Sequence, residues 1–365
     1  MVIKRQIYTI TCWLLLIPNY QIASEREPGY MYYNLNMLGG RMTPHYESQA
    51  IINDDYIWGI DFNTYFLKDE TTKINKTAFG LGYFVSNLGN DDIFGFVHST
   101  YFSLLIPISP NAIPIHLKIG LGPGYATKKY SPSTNPQNKS IGSNLNAYGQ
   151  IGLSGGFPVK DDRLFLRLGF SFNHISNGLI VSPNQGINTI TVHAGLDFAS
   201  NHKHSGALSV GYEQQKKGKN RFALTYAMGI KEAGLSNGEQ IITSSLIFDH
   251  GYRVTPSFSA GLGISLFYND TWSYHPYTSP NTDLSPLPYQ SALHLALELD
   301  KSPISIILHP GYYIYKPSEH TPNFTGRLGV RYSLSNNITF LFAIKHHWFA
   351  LADFFEFGIG YKIYR

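Results

Sequence analysis

The stretch FNHISNGLIVSPNQGIN (172–188) puts His174 and Ser176 two positions apart at the end of an apolar strand pattern, followed by a run rich in Ser, Asn, Gly and Pro. On a strand, residues i and i+2 project from one face, close enough for an imidazole to take a hydroxyl proton. Acyl transfer needs that pair, a third group orienting the histidine, and donors for the developing oxyanion. Asn188 and the amides around Asn177 and Gly178 stand near enough in sequence to fill those roles. A plainer reading is a polar strand end running into a loop, since histidine and serine are both ordinary there.

Which reading holds depends on the strands that carry these residues. In LFLRLGFSFNHIS (164–176), Leu164, Leu166, Leu168, Phe170 and Phe172 share one face with His174 and Ser176, and Arg167, Ser171 and Asn173 share the other. In NTITVHAGLDF (188–198), Asn188 heads the apolar face of Ile190, Val192, Ala194, Leu196 and Phe198, opposite Thr189, Thr191, His193 and Asp197. Apolar on one face and polar or charged on the other, at period two, is how a strand looks with lipid outside and a polar lumen inside. His174, Ser176 and Asn188 then gather on the outer wall, just past the end of the apolar band.

Composition points the same way. There are 26 Tyr, 23 Phe and 34 Gly, and only 14% of residues are charged, against about a quarter in a soluble domain. Residues 1–23 read as a signal peptide, with Lys4 and Arg5 before an apolar run and the small residues Ala23 and Ser24 after it. The single cysteine, Cys12, lies in that run, so the mature chain would have no thiol chemistry. The net charge of +4 is slight and scattered, which gives no case for nucleic acid. Stretches of about ten alternating residues, such as YIWGIDFNTYF (56–66), SALHLALEL (291–299) and GRLGVRYSLS (326–335), recur between Gly, Pro, Asn and Asp. The expectation is an all-β, antiparallel transmembrane β-barrel of the bacterial outer membrane with about 14–16 strands, a single barrel over residues 24–365. A secreted two-sheet β-protein is the alternative, and it accounts poorly for the low charge.

HISN (174–177) and PNQG (183–186), at this spacing, resemble the motif of the PagL-type lipid A 3-O-deacylases, also called acyloxyacyl hydrolases. The resemblance is strongest over residues 30–200. GGRMTPH (39–45), GSNLNAYGQIGL (142–153) and ADFFEFGIGY (352–361) are similar to a longer subgroup of that family. It implies an outer-membrane barrel that cleaves an ester-linked acyl chain from lipid A at a site on the lipid-facing wall. Ser176 would be the nucleophile, His174 the base, Asn177 and the backbone at Gly178 the oxyanion and substrate-positioning groups. Where the family pattern has an orienting Glu, this chain has Asn188. An amide can still fix the histidine tautomer but cannot neutralise an imidazolium, and in serine proteases a comparable change lowers turnover by about 10⁴. Either Asn188 suffices, another carboxylate helps, or activity is reduced.

Other signals are weaker. NHKHS (201–205) and KHHW (345–348) lack the ligand array of a metal site, and GLGPG (120–124) lacks the helix of a phosphate loop. The reading therefore has no metal and no cofactor. Its partners are lipid A, lipopolysaccharide acyl chains and outer-membrane lipids, and it is compatible with a homodimer. Two rivals stand beside the hydrolase: a family member with a structural or lipid-binding role and weakened catalysis, and a passive porin or transporter.

Overall fold

Alternation at period two dictates strands. In the computed structural model, which describes residues 30–365 apart from 54, 68–76, 110–113, 161–162, 200–217, 233–237, 272–287, 302, 318–320, 335–336 and 348–350, the alternating stretches form seventeen antiparallel strands. The expected signal peptide and the NHKHS stretch lie outside the described residues. Strands β1 (Tyr30–Met42), β2 (Ile57–Leu67), β3 (Ala78–Asn87), β4 (Phe96–Ser109), β5 (Ile115–Ala126), β6 (Leu145–Lys160), β7 (Leu164–Ser176) and β8 (Ile187–Ala199) pair in order. β8 then returns to β1, with Tyr32 opposite Ala199 and Met42 opposite Thr189, and closes a barrel of eight. A short helix, α1 (Glu47–Ile52), lies between β1 and β2.

The remaining strands close a second barrel: β9 (Asn220–Glu232), β10 (Gln240–Thr255), β11 (Phe258–Tyr268), β12 (Tyr289–Leu295), β13 (Leu297–Lys301), β14 (Ile304–Tyr315), β15 (Phe324–Ser333), β16 (Ile338–His347) and β17 (Leu351–Tyr364). β17 pairs back onto β9, with Phe357 opposite Met228. β12 and β13 both lie between β11 and β14 and continue one another around Ala296, so the nine strands make eight staves. The single barrel expected from the sequence is therefore corrected to two. Alternation tells which wall a residue faces but not which strand is its neighbour, and here β1 takes β8 instead of the last strand.

That division decides what the lumens can be. Eight strands leave an interior just wide enough for side chains, whereas sixteen would leave a water channel. Barrel one holds Lys118 Nζ 2.7 Å from Asp61 Oδ2 and Arg167 Nε 2.6 Å from Asp197 Oδ2, with Tyr32 donating to Asp197 at 2.8 Å. Barrel two holds Glu298 among Arg221, Arg331 and Lys362, and Glu356 against Arg327. Such charges are tolerated in an interior only when paired and hydrogen-bonded. The outer walls are apolar: Met37, Phe102, Val192, Leu262 and Phe357 are among the exposed side chains. Strands of ten to sixteen residues in most staves match a tilted crossing of a hydrocarbon layer. At one end of barrel one a buried apolar cluster including Met42, Ile57, Phe94, Ile141, Ile175 and Ile187 stiffens the rim from which α1 and the β7–β8 connection rise.

Candidate active site

β7 and β8 pair with His174 directly opposite Asn188. Parity puts both side chains on the outer wall, where the pair closes a relay. His174 Nδ1 lies 2.6 Å from Asn188 Oδ1, and His174 Nε2 lies 3.0 Å from Ser176 Oγ. An amide oxygen only accepts, so Nδ1 carries the proton and Nε2 presents its lone pair to the serine hydroxyl. This is the tautomer a general base needs. The predicted trio of His174, Ser176 and Asn188 is thus brought together. Ser176 is buried, with 2% of its surface exposed.

The connection 177–186 is built around the trio. Asn177 is in contact with it but does not offer a free donor: its N–H bonds Asn184 Oδ1 at 3.0 Å, and its Nδ2 bonds Ser143 Oγ and Val181 O at 3.0 and 2.8 Å. The side-chain donor expected from Asn177 is therefore corrected to a brace that closes the turn at Val181 O and ties it to Ser143 ahead of β6, because both its amide hydrogens are used. Gly178 follows with φ of 62°, a conformation that glycine adopts without penalty. Among the described residues no acceptor is bonded to the Gly178 N–H. Gly186, at φ of 71°, lies flat against the pair: a Cβ there would sit 3.1 Å from His174 Cε1 and 3.2 Å from Ser176 Cβ. That close approach accounts for the glycine of PNQG, and Asn184 capping Asn177 accounts for its asparagine.

Two further groups of contacts were not visible in the sequence. The first is His45, just past β1. Its Nε2 lies 2.7 Å from Gln185 O and its Nδ1 lies 3.2 Å from Asn188 Nδ2. Around it, Thr43 N–H bonds Asn188 O at 2.8 Å, and Gln49 of α1 bonds Gly186 O at 2.7 Å. Only the GGRMTPH stretch hinted at it. The second comes from barrel two. Glu232 N–H bonds Leu179 O at 2.9 Å, the Glu232 carboxylate accepts from Ser182 N–H, and Gln240 Nε2 bonds Ile180 O at 3.0 Å. The ring of Phe355 packs on Gly178.

One cluster of metal-ligating types exists among the described residues: Asp249, His294 and His309, in the lumen of barrel two. Asp249 Oδ1 takes His294 Nε2 at 2.9 Å and Oδ2 takes Arg331 Nη2 at 3.0 Å, while Arg327 Nη1 approaches His309 Nδ1 at 3.4 Å. The carboxylate is already neutralised and two guanidiniums flank the trio. A divalent cation does not fit that charge balance. In KHHW, Lys345 and His347 both face Asp353.

A closed barrel with an apolar outer wall and a Ser–His–amide relay presents the groups that nucleophilic acyl transfer uses. Residues 55–197 match the family model described as "Lipid A 3-O-deacylase (PagL)", and residues 220–365 match "Acyloxyacyl hydrolase, C-terminal domain". The chain belongs to the lipid A 3-O-deacylase (PagL) family, and the boundary between the two matches falls between the two barrels. Among solved structures, similarity is found to Neisserial surface protein A (11% identity, TM-score 0.31, 46% of this chain and 96% of that one). It is also found to OpdO of Pseudomonas aeruginosa (10% identity, TM-score 0.25, 92% and 97%). No curated protein matches the chain.

Proposed function

We propose that this chain is an outer-membrane serine hydrolase that removes an ester-linked acyl chain from lipid A, with Ser176 as nucleophile and His174 as general base. The observation that carries it is the Ser176–His174–Asn188 relay, which leaves His174 Nε2 able to accept the serine proton. Ser176 Oγ attacks the ester carbonyl as His174 takes its proton. The tetrahedral oxyanion forms beside the Gly178 N–H, and the imidazolium returns its proton to the departing sugar oxygen. Water, activated by the same histidine, then releases the fatty acid. A shallow depression on the same wall, lined by Met37, Gly39, Leu168, Val192 and Ala194, offers a bed for acyl chains along β7 and β8. A substrate whose acyl chains already lie in the membrane needs no pocket leading in from water, which fits a site on an outer wall.

Asn188 favours a second reading, in which catalysis is weakened and the chain mainly binds lipid, because no carboxylate stands behind His174 to balance the imidazolium. One experiment separates them. Expressed in a Gram-negative host, the wild type should yield lipid A lighter by one acyl chain in mass spectra, and Ser176→Ala should not. Identical spectra from the two would sink the hydrolase reading. The passive-pore alternative has little support from two side-chain-filled lumens; it predicts steady conductance in planar bilayers.

A further inference from the structure

Asparagine is an awkward third member because its amide has two unlike ends. Turned one way it offers Oδ1 to His174 Nδ1–H. Turned the other it offers N–H, which forces the proton onto His174 Nε2 and removes the base from Ser176. Two of the neighbouring bonds determine which end faces the histidine. Gln185 O is a carbonyl and can only accept, so His45 Nε2, 2.7 Å away, is the donor. In a neutral imidazole the other nitrogen then accepts. His45 Nδ1 lies 3.2 Å from Asn188 Nδ2, so that end of the amide must point at His45 and Oδ1 must point at His174. With His45 neutral, direction is passed from a backbone carbonyl, through His45 and Asn188, to His174 and Ser176.

We propose that His45 is a positioning residue for the hydrolysis: it orients the Asn188 amide and so sets the catalytic tautomer of His174, which lets an amide stand where a carboxylate would need no such help. The inference rests on the hydrolase reading. His45 reaches the site only because barrel one closes β8 on β1, which sets the residues after Met42 beside the start of β8. Local contacts hold the segment there: His45 N–H bonds Gln49 Oε1 at 3.1 Å, and its ring lies against Tyr46 at 4.7 Å.

A double-mutant cycle tests it. His45→Phe keeps a ring against Tyr46 and removes both nitrogens. Asn188→Asp is isosteric, but its two oxygens are equivalent acceptors, so no orientation has to be chosen. With the full chain in detergent micelles and purified lipid A as substrate, fatty-acid release is measured for the wild type, both single variants, the double variant and Ser176→Ala. His45→Phe should lower kcat about five- to ten-fold in the wild-type background, the scale of one net hydrogen bond, with little change in KM. In the Asn188→Asp background the same change should cost less than about two-fold, because the carboxylate presents an acceptor either way. An equal loss in both backgrounds would mean that His45 only holds the loop, and the proposal is overturned. So it is if His45→Phe retains full activity beside Asn188. A wild type no faster than Ser176→Ala would instead overturn the hydrolase reading, and this inference with it.

Discussion

The hairpin β7–β8 of barrel one and the hairpin β16–β17 of barrel two occupy the seventh and eighth staves of their barrels, and both put histidine at the rim. In barrel one His174 faces outward, next to Ser176 on its own strand and Asn188 on the next. In barrel two His347 faces Asp353, a carboxylate, but Asp353 is held by Lys231 and Lys345 as well, and among the described residues no serine is bonded to the histidine. The barrel that has a carboxylate commits it to structure, and the barrel with the outward relay has an amide. What separates them is whether the acceptor behind the histidine is committed to a cation, and whether the relay opens on the outer wall or into the packed lumen. Polar groups on a lipid-facing wall are costly, less so near the rim, so an outward trio there asks for a functional reason, whereas an inward cluster is explained by neutralising a lumen.

The comparison predicts that substitutions in the outer relay change rate and those in the lumen of barrel two change stability. Ser176→Ala should lower acyl release by about 10⁴-fold or more while unfolding in denaturant is unchanged, as for nucleophiles removed from triads. Glu298→Ala does the reverse. It leaves Arg221, Arg331 and Lys362 buried around a lost charge and should cost about 3–5 kcal/mol of stability, read as a lower urea midpoint for release from lipid vesicles. If the Glu298 variant loses rate at full stability, or the Ser176 variant unfolds, the division between the barrels is wrong.

Within barrel one the next effect is at Asn188. Asn188→Ala leaves His174 Nδ1 without its acceptor and should reduce kcat about 10²-fold, the lower end for general base catalysis, with KM nearly constant. Gly186→Ala should cost roughly ten-fold: φ of 71° strains any L side chain by about 1–2 kcal/mol, and the new methyl would press on His174 Cε1 and Ser176 Cβ. Alanine at Gly149, on β6 opposite His174, meets nothing within 4 Å and serves as the control.

That His174, Ser176 and Asn188 share one face was legible in the sequence because alternation at period two is local, carried by about ten residues of β7 and ten of β8. So was the approximate number of staves, about 14–16 expected against two barrels of eight, since each strand announces itself. Barrel closure was not. With one barrel of about sixteen strands, β1 would lie beside β17, and His45 would be nowhere near Asn188; with closure at β8 the two meet across 143 residues. The same ambiguity hid barrel two's contacts with the site. Asn177 was misread for a different reason: the pattern shows an amide beside the nucleophile but not that Val181, four residues on, and Ser143, from another segment, consume its hydrogens.

Barrel two contributes to the site through its rim, and this gives the smallest of the expected effects. Leu179 is the one non-glycine among the described residues with a left-handed backbone, at φ of 63°, which costs about 1–2 kcal/mol and persists only when neighbours over-determine it. Those neighbours belong to barrel two. Glu232 stands outward on β9 by parity yet is buried, because the 177–182 loop covers it and bonds both its backbone and its carboxylate. Phe355 closes against Gly178 beside it. Glu232→Gln keeps an acceptor for Ser182 N–H and should leave kcat within about two-fold. Glu232→Ala keeps the backbone bond to Leu179 but removes the carboxylate, and should lower kcat about three- to five-fold, the scale of one hydrogen bond, while protease cleavage within 177–182 quickens. If alanine and glutamine behave alike, the second barrel holds the first without tuning its chemistry.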